Sequence, residues 1–437
     1  MLEELVVKPE RVLLDDFGGE EVSGVKEKSR FPELVTVVAA LCFTAACSAR
    51  DDIVRLDGAT MGTFYSVQFV RDSVEIDFDR LAADIDALLD GIDSGMSTYR
   101  NDSELMRFNA NQGADWVDIS DDLATVLDES LRVSRLTDGA FDVTVGPLVN
   151  LWGFGPHRAA NSIPSATDIE QQQGRVGYQL LTTRDKPPGA RKERGDVFVD
   201  LSAVAKGFAV DRLASLLDQA GFRSYLVEIG GELRASGVKP GGSNWMVAIE
   251  QPASDARRVQ RTLALRNQAI ATSGDYRNFF EIEGQRYSHV IDPRTGWPVT
   301  HAVVSVTVVC PSAMTADAFA TALLVLGEED GFKVATDHRI AALFLLRNGD
   351  HFSELTTPEF ERFLARERPY FSAAGIRCGV APLDGGSFPS GHTVLSGVDA
   401  GRFAVCCTGC VIASHSAPAL RDRYTRRRHS GWRAGLF

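Results

Sequence analysis

Asp200-Leu-Ser-Ala-Val-Ala-Lys-Gly-Phe-Ala-Val-Asp211 is the most informative stretch of this chain, and Glu228-Ile-Gly-Gly-Glu232 follows shortly after it. Apolar residues recur at helical spacing from its second half onward: Phe208, Leu213, Leu216 and Leu217. The spacing predicts a helix from Lys206 to about Ala220, with a loop before it. The run from Tyr225 to Ile229 predicts a strand that ends at a glycine pair.

Lys206 stands at the start of the predicted helix, directly before Gly207. The N–H groups at a helix start attract anions, and a glycine lets a ligand or another backbone come close. The pattern is therefore compatible with a phosphate or pyrophosphate site. An ordinary helix start has the same features and is the commoner case, so the stretch alone leaves both interpretations open.

Composition and charge restrict the class of protein. The chain has 437 residues, of which 44% are hydrophobic and 24% charged, as in a globular protein with one large core or two modest ones. The formal net charge of -13 argues against nucleic acid as the main partner, because DNA and RNA require clustered lysine and arginine. A phosphorylated ligand remains compatible with this charge if a divalent cation mediates.

The cysteines do not predict a disulfide framework. The sequence contains seven of them: Cys42, Cys47, Cys310, Cys378, Cys406, Cys407 and Cys410. Only Cys310 lies within the well-patterned part of the chain after Cys47, so no pair is available there. Cys407 and Cys410 form a C-x-x-C without a second pair or a βαβ context, and a thioredoxin-like or zinc role is not expected.

The N-terminal segment resembles a secretion signal. A basic cluster at 26–30 precedes an apolar run from Leu34 to Ala46, with Cys47 directly after it. This order is typical of a bacterial lipoprotein signal peptide. A buried helix or a true membrane span is the alternative, but the run is too short to cross about 30 Å of hydrocarbon. We predict a leader and signal peptide over 1–47, lipid attachment at Cys47, and a bacterial periplasmic protein anchored to the inner membrane.

Apolar stripes predict two helices in the first half of the body. One stripe runs from Phe78 to Ile92 and the other from Leu123 to Leu131, with Asp138-Gly139 as the end of the second helix. The polar block from Met96 to Asn109 reads as a loop. Residues 159–194 are rich in Gln, Pro, Lys and Arg, and predict a variable surface excursion without catalytic residues.

Strands follow one another with few helices between them, which indicates an α+β fold rather than a doubly wound sheet. The predicted strands are short β-branched or apolar runs between turn residues: 64–70, 225–229, 245–249, 269–273, 303–309 and 340–346.

Asp317 and Thr321 are four residues apart in a segment of helical periodicity, Thr315 to Leu326. This spacing puts a carboxylate and a hydroxyl on one helix face, a pair of oxygens that suits Mg²⁺. An N-terminal capping arrangement is the commoner explanation of such a pair. His289, between Ser288 and a Val-Ile-Asp-Pro turn, is likewise either a structural histidine or a proton-transfer group.

Six further blocks resemble, in this order, the ApbE-type FAD:protein FMN transferases, which are periplasmic enzymes that attach FMN to membrane redox proteins. They are Thr60–Thr63, Met96–Asn109, Thr137–Pro156, Thr272–Asn278, Ser288–Gly296 and Thr315–Thr321. The resemblance runs from about Asp57 to about Leu364. It implies a T-fold-like α+β architecture with mixed or antiparallel sheets and packed helices, and a transferase domain over 48–365.

The resemblance also implies roles for individual residues. Flavin contacts are expected from Met61, Thr98, Tyr99, Arg100, Asp138, Lys206 and Ile291. Asp317, Thr321 and the backbone carbonyl of Ala203 are expected to hold the metal. Lys206 is expected near the pyrophosphate and His289 at the proton transfer, with Asp292 fixing its loop, so that His289, Lys206 and Asp317 form the catalytic set.

The implied reaction uses FAD as substrate and Mg²⁺ as cofactor. An acceptor Thr or Ser hydroxyl attacks the FMN-side phosphorus and AMP departs. The implied acceptor is a flavoprotein subunit of a respiratory complex of the Na⁺-translocating NADH:quinone reductase or Rnf type. Water in place of the acceptor would make the enzyme an FAD pyrophosphatase, and a non-catalytic flavin-binding lipoprotein is the other alternative. Self-flavinylation at Thr60 is not expected, because Thr60 belongs to an enzyme block.

The segment 366–437 lies outside this resemblance. Phe388-Pro-Ser-Gly-His392-Thr, with Arg423 and His429, resembles a fragment of the type 2 phosphatidic acid phosphatases. Glu361 and Asp422 replace the lysine and serine of that family's motifs. We therefore expect a poorly ordered tail without phosphatase activity.

Overall fold

The computed structural model describes residues 53–71, 77–155, 162–252, 258–276, 278–349 and 351–364. Within these ranges the helices are α1 Phe78–Met96, α2 Glu104–Ala110, α3 Asp121–Leu136, α4 Gly146–Leu151, α5 Ala166–Gln173, α6 Ala205–Gln219, α7 Ala313–Asp337 and α8 Pro358–Glu361. The signal segment with Cys47 and the tail after 364 lie outside the described residues. In the described part of the chain, no helix has the length and apolar character needed to span a membrane.

The strands begin with the hairpin β1 Ile53–Thr60 and β2 Thr63–Val70 and then run in chain order. The others are β3 Val117–Asp118, β4 Leu181–Asp185, β5 Pro188–Lys192, β6 Tyr225–Ile229, β7 Glu232–Ser236, β8 Trp245–Glu250, β9 Val259–Leu265, β10 Gln268–Gly274, β11 Phe279–Ile282, β12 Gln285–Ser288, β13 Val303–Cys310, β14 Ala341–Asn348 and β15 His351–Thr356.

The main sheet of the described residues has eight strands in the order β1-β2-β6-β7-β10-β13-β14-β15, and every neighbouring pair is antiparallel. Smaller sheets are formed by β3-β5-β4, β8-β9 and β11-β12. This arrangement confirms the predicted α+β class. The fold thus provides one broad sheet on which the helices can pack.

Side chains alternate across the main sheet and build a core on each face. On one face, Val67 and Val227 pack with apolar residues of α1, α3, α6 and α7. On the other face, Leu226 and Ile270 pack with Trp245 of the β8-β9 hairpin and with Phe360. The first core brings α6 and α7 together, and this helix pair positions the site described below.

The predicted segment from Thr315 to Leu326 belongs to a longer helix, α7, which extends to Asp337. Gly327 interrupts it with φ of 79° and ψ of -166°, and a Cβ there would lie 2.8 Å from the His301 ring. The periodicity ends near Leu326 because the backbone changes direction at this glycine.

Two segments read as irregular from the sequence contain ordered structure. The block from Met96 to Asn109 includes α2, whose N-terminus is capped by Ser103. The described part of the excursion, 162–194, contains α5, β4 and β5, and buries Lys192 completely. The Lys192 ammonium donates to the carbonyls of Asn109, Gly195 and Val197 at 3.0–3.2 Å, which offsets the cost of its burial.

Candidate active site

Lys206 is the second residue of α6, and its ammonium lies between two buried carboxylates. Its Nζ is 3.0 Å from Glu232 Oε1 and 3.9 Å from Asp317 Oδ2. Glu232 opens β7 after the Gly230-Gly231 turn, where both glycines have positive φ. The Lys206 side chain keeps 29% of its exposure, whereas those of Glu232 and Asp317 are about 5% exposed.

A close crossing of α6 and α7 brings Asp317 to Lys206. A Cβ on Gly207 would lie 2.4 Å from the carbonyl oxygen of Ala313, so only glycine permits this approach. The Gly207 N–H donates to Asp317 Oδ2 at 3.1 Å. The first turn of α6 therefore directs both a backbone donor and an ammonium toward one carboxylate.

The same hydrogen bond frees the carbonyl of Ala203. In a regular helix, the N–H of residue 207 would donate to the carbonyl of residue 203. Here it donates to Asp317, and within the described ranges no donor reaches the Ala203 carbonyl. This carbonyl remains available as an oxygen ligand at the start of α6.

Thr321 lies one turn after Asp317 on α7, and its hydroxyl is 2.9 Å from the Ser273 hydroxyl of β10. Asp317, Thr321 and the Ala203 carbonyl form an all-oxygen donor set, which fits Mg²⁺ because this ion combines few protein oxygens with water and phosphate oxygens. The described residues contain no cluster of three His, Cys, Asp or Glu side chains that could hold a metal. The set therefore suits a hard cation shared with a phosphorylated substrate rather than a fully protein-coordinated one.

Asp211, one turn further along α6, holds the N-terminus of α7. Its carboxylate accepts from the N–H groups of Ala313 and Met314, both at 3.0 Å, and from the Ser312 hydroxyl at 2.7 Å. Arg234 pairs with the same carboxylate. These bonds satisfy N–H groups that a helix start leaves open, and they fix α7 relative to α6.

The three charged groups of this cluster shift one another's pKa values. Burial raises the pKa of Glu232 to about 7, although the Lys206 ammonium opposes that rise. Burial also raises the pKa of Asp317, again against Lys206. Burial by itself would lower the pKa of Lys206, but the two carboxylates outweigh it and the pKa is raised. Lys206 is therefore an ammonium at neutral pH.

Met61 lies at the tip of the β1-β2 hairpin, close to this cluster. Met61 and Gly62 form the turn with φ of 47° and 73°. A Cβ on Gly230 would lie 3.0 Å from Thr63 and 3.5 Å from Lys206 Cδ, so the hairpin end and the lysine stem flank the same glycine. The flavin contact expected of Met61 stays a prediction.

His289 has a defined tautomer. Its Nδ1 is 3.0 Å from the carbonyl oxygen of Asn278, which can only accept, so Nδ1 carries the proton and Nε2 a lone pair. Burial lowers the pKa of His289, the Asn278 bond opposes this, and the Arg286 charge adds to it. The ring therefore remains a neutral base at neutral pH.

An electrostatic effect and two hydrogen bonds relate His289 to the helix pair. Arg286, whose charge lowers the pKa of His289, donates to the backbone carbonyl of Asp275. Asp275 directly follows β10, two residues after Ser273, whose hydroxyl reaches Thr321. The base and the oxygen donors are therefore linked through the end of one strand.

The loop after His289 carries the next predicted residues. Asp292 accepts three hydrogen bonds from Arg294 at 2.9–3.0 Å, which confirms that it fixes this loop. Ile291 is buried among aromatic residues, so its backbone is the part left for a ligand. Asp138 has a positive φ after α3, and its charge acts on Arg294.

Thr98, Tyr99 and Arg100 follow α1 and form a separate part of the predicted site. Thr98 is buried and the Tyr99 ring is 54% exposed. Arg100 pairs with Asp90 at 2.9 Å and with Asp93 at 3.4 Å. Among the described residues, no hydrogen bond or ion pair joins Thr98 or Arg100 to the Lys206 cluster.

Glu232 is a site residue to which the sequence analysis gave no role. The sequence did offer one indication of a role. Glu232 directly follows a strand and a glycine pair, so it is expected at the same end of the strands as the loop that carries Lys206. Nothing in the sequence indicated that its partner is Lys206. Asp211 was likewise the final residue of the quoted stretch, without a role.

A family model and several known proteins are similar to this chain. The model of the ApbE family matches residues 61–344. A Vibrio cholerae protein named FAD:protein FMN transferase is 43% identical over 332 residues, covering 76% of this chain and 99% of that protein. An Escherichia coli K12 protein of the same name is 40% identical over 348 residues, covering 76% and 98%.

Two solved structures are similar over most of the chain. The flavin transferase ApbE from Vibrio cholerae has a TM-score of 0.67 at 43% identity and covers 72% of this chain and 99% of that one. The apo form of the Pseudomonas stutzeri flavinyl transferase ApbE has a TM-score of 0.67 at 38% identity and covers 72% and 97%. The similarity thus extends over nearly the whole length of both.

Proposed function

The chain belongs to the ApbE family, and we propose that it is an FAD:protein FMN transferase that moves FMN from FAD to a Thr or Ser of an acceptor protein, with release of AMP. The observation that carries this proposal is the 43% identity over 99% of a transferase from Vibrio cholerae. The contacts of the Lys206 ammonium and the Gly207 N–H with Asp317 support the same chemistry.

The donor set supports a Mg²⁺ ion held by Asp317, Thr321 and the carbonyl of Ala203. When bound, such an ion neutralises charge on phosphoryl oxygens. The site favours a cation because the buried Asp317 supplies a carboxylate oxygen, a ligand that Mg²⁺ prefers. The Gly207 N–H orients Asp317 by holding one of its oxygens.

Lys206 is suited to bind the pyrophosphate of FAD. Its ammonium is charged at neutral pH, and its side chain is the most exposed of the three charged groups in the cluster. A fixed positive charge beside a transferring phosphoryl group stabilises the negative charge that develops on its oxygens. Lys206 thus contributes electrostatic stabilisation and no proton transfer.

His289 is suited to activate the acceptor hydroxyl. Its Nε2 lone pair accepts the hydroxyl proton, while the Nδ1–H group continues to donate a hydrogen bond to the Asn278 carbonyl. The acceptor oxygen then forms a bond to the FMN-side phosphorus, and the P–O bond to AMP breaks with its electron pair on AMP. Water in the same position would give FMN and AMP.

The flavin itself would extend from the lysine toward the other predicted contacts. The exposed Tyr99 ring offers a flat surface for an aromatic ring system. Met61, in the turn before Thr63, and Ile291, two residues after His289, would contribute further contacts together with Asp138. Thr98 and Arg100 would complete the set from the end of α1.

The N-terminal sequence supports a lipoprotein of the bacterial periplasm, attached to the inner membrane through Cys47. At that location, the acceptor we propose is a flavoprotein subunit of a respiratory complex of the Na⁺-translocating NADH:quinone reductase or Rnf type. Cleavage before Cys47, with a lipid mass on that cysteine in cells, would support this placement. An unprocessed N-terminus would contradict it.

The function is tested by incubating the purified chain with FAD, Mg²⁺ and an acceptor protein and measuring covalent flavin fluorescence in a denaturing gel. Fluorescence that requires Mg²⁺ and is lost in Asp317→Asn supports the transferase. Asp337→Asn is the matched control, since Asp337 is an exposed residue of the same helix. FMN and AMP without labelled acceptor would indicate a pyrophosphatase, and intact bound FAD a binding protein.

A further inference from the structure

Glu232 is the least explained charged residue of the site. One of its oxygens binds Lys206 at 3.0 Å, and the other, Oε2, is buried without a hydrogen-bond partner among the described residues. A buried carboxylate with an open oxygen is costly. Such a group is expected to have a task beyond packing.

The lysine is placed asymmetrically between its two carboxylates. Its ammonium forms a hydrogen bond with Glu232 but remains 3.9 Å from Asp317 Oδ2, beyond hydrogen-bond distance. Asp317 Oδ2 instead receives the Gly207 N–H at 3.1 Å. The Lys206 ammonium is thus hydrogen-bonded to Glu232 rather than to Asp317.

This asymmetry matters because an ammonium and a divalent cation compete for one carboxylate. Asp317 is 3% exposed, so a lysine in direct contact with it would be a strong buried ion pair. A cation would have to displace that lysine before it could bind Asp317.

We propose that Glu232 is a positioning residue that keeps Lys206 away from Asp317 and so leaves this carboxylate free for the cation. The inference rests on the proposed function for the identity of the site, but it concerns only cation binding. Glu232 itself is not expected to ligate the cation.

The test is a double-mutant cycle on Mn²⁺ binding to the full chain, followed by the electron paramagnetic resonance signal of free Mn²⁺ without FAD or acceptor. The variants are Glu232→Gln, Lys206→Met and their combination. Only the Mn²⁺ binding that is lost in Asp317→Asn is counted as binding at the Asp317 site. Glu232→Gln keeps the side-chain volume, and thermal melting checks that each variant folds.

Glu232→Gln is expected to weaken Mn²⁺ binding about tenfold when Lys206 is present, since the lysine then pairs with its only remaining carboxylate. In the Lys206→Met background the same change is expected to have less than about a twofold effect. Equal weakening in both backgrounds would mean that Glu232 acts as a ligand or through its charge. That result would overturn the proposal, as would unchanged binding in both.

Absence of Mn²⁺ binding to the wild-type chain would also overturn it. The flavin-transfer gel is read separately, so a chain that binds Mn²⁺ as expected but transfers no FMN contradicts only the proposed function.

Discussion

Lys206 and His289 are two basic side chains in buried surroundings, and their pKa values shift in opposite directions. Lys206 faces two carboxylates, which raise its pKa against the effect of burial. His289 faces a backbone carbonyl and the positive charge of Arg286, so burial prevails and its pKa is lowered. The partner, rather than the depth of burial, decides that one group stays charged and the other neutral.

The largest effect is expected from removing the charge of Asp317. Asp317→Asn keeps the shape of the side chain but takes away the carboxylate that we propose binds the cation and that lies 3.9 Å from the Lys206 ammonium. We expect FMN transfer to fall by about 10³-fold, since this change affects both electrostatic contributions to the transition state. Single-turnover transfer with saturating FAD measures it.

Asp337→Asn, on the same helix, should retain the wild-type rate. An Asp317→Asn chain that transfers FMN at the wild-type rate would show that the charged cluster of Lys206, Glu232 and Asp317 does not act on the transition state as His289 is proposed to do.

His289→Asn should lower transfer by about 10²-fold, because a general base typically contributes at least that much. In the wild-type chain the rate should fall on acidification only below about pH 6.5, the ordinary histidine pKa, since the folded pKa is lower. A pH profile of the rate, with its acid limb missing in the variant, checks this.

The lowered pKa of His289 also predicts how the free energy of unfolding depends on pH. The unfolded chain binds a proton at His289 more readily than the folded chain, so the free energy of unfolding should fall as the pH drops below about 6.5. The effect should be smaller in His289→Asn. Denaturant titrations at several pH values measure it, and identical curves for the two chains would show that folding does not lower the pKa of His289.

Gly207→Ala tests the close crossing of α6 and α7, which brings Asp317 to Lys206. The added methyl would meet the backbone carbonyl of Ala313 at 2.4 Å, which neither helix can avoid without moving. We expect a loss of about 1–3 kcal/mol in the free energy of unfolding, as for other overpacked sites.

Gly221→Ala is not a matched control, because its φ of 90° is itself strained for alanine. Gly91→Ala is the better one, since a Cβ there meets nothing within 4 Å. Equal stability of Gly207→Ala and the wild type would mean that the crossing tolerates more space.

Asp211→Asn should have the smallest effect of the series. The amide keeps the shape but replaces a charged acceptor of several hydrogen bonds, which is expected to cost about 1–2 kcal/mol. Urea unfolding measures the loss. A lower transfer rate under conditions in which the variant remains fully folded would show that Asp211 sets the distance between the helices.

The sequence predicted much of the fold because local patterns determine it. The helix expected from Lys206 begins at Ala205, and the strand expected from Tyr225 to Ile229 has those bounds. The failures have a physical cause. Lys192 reads as a surface residue, and its burial is favourable because its ammonium reaches the distant carbonyl of Asn109 and two carbonyls of the following loop.

Candidate site residues could be named from the sequence, but their contacts could not. Asp317 and Thr321 could be placed on one face by their spacing, and the open carbonyl of Ala203 followed only from the resemblance. The Lys206–Glu232 pair and the Asp211 bonds depend on how α6 crosses α7 and how a glycine turn presents β7. Such crossings are set by packing, which a single sequence does not display.

The bond between Gly207 and Asp317 joins residues that are 110 positions apart in the chain. During synthesis, α6 emerges long before α7, so a nascent chain that ends at Cys310 has the lysine without the carboxylate that completes the cluster. Chemical competence is therefore among the last properties the growing polypeptide acquires. Amide exchange at Gly207 should accordingly report on the closure of this long loop rather than on the local stability of its own helix.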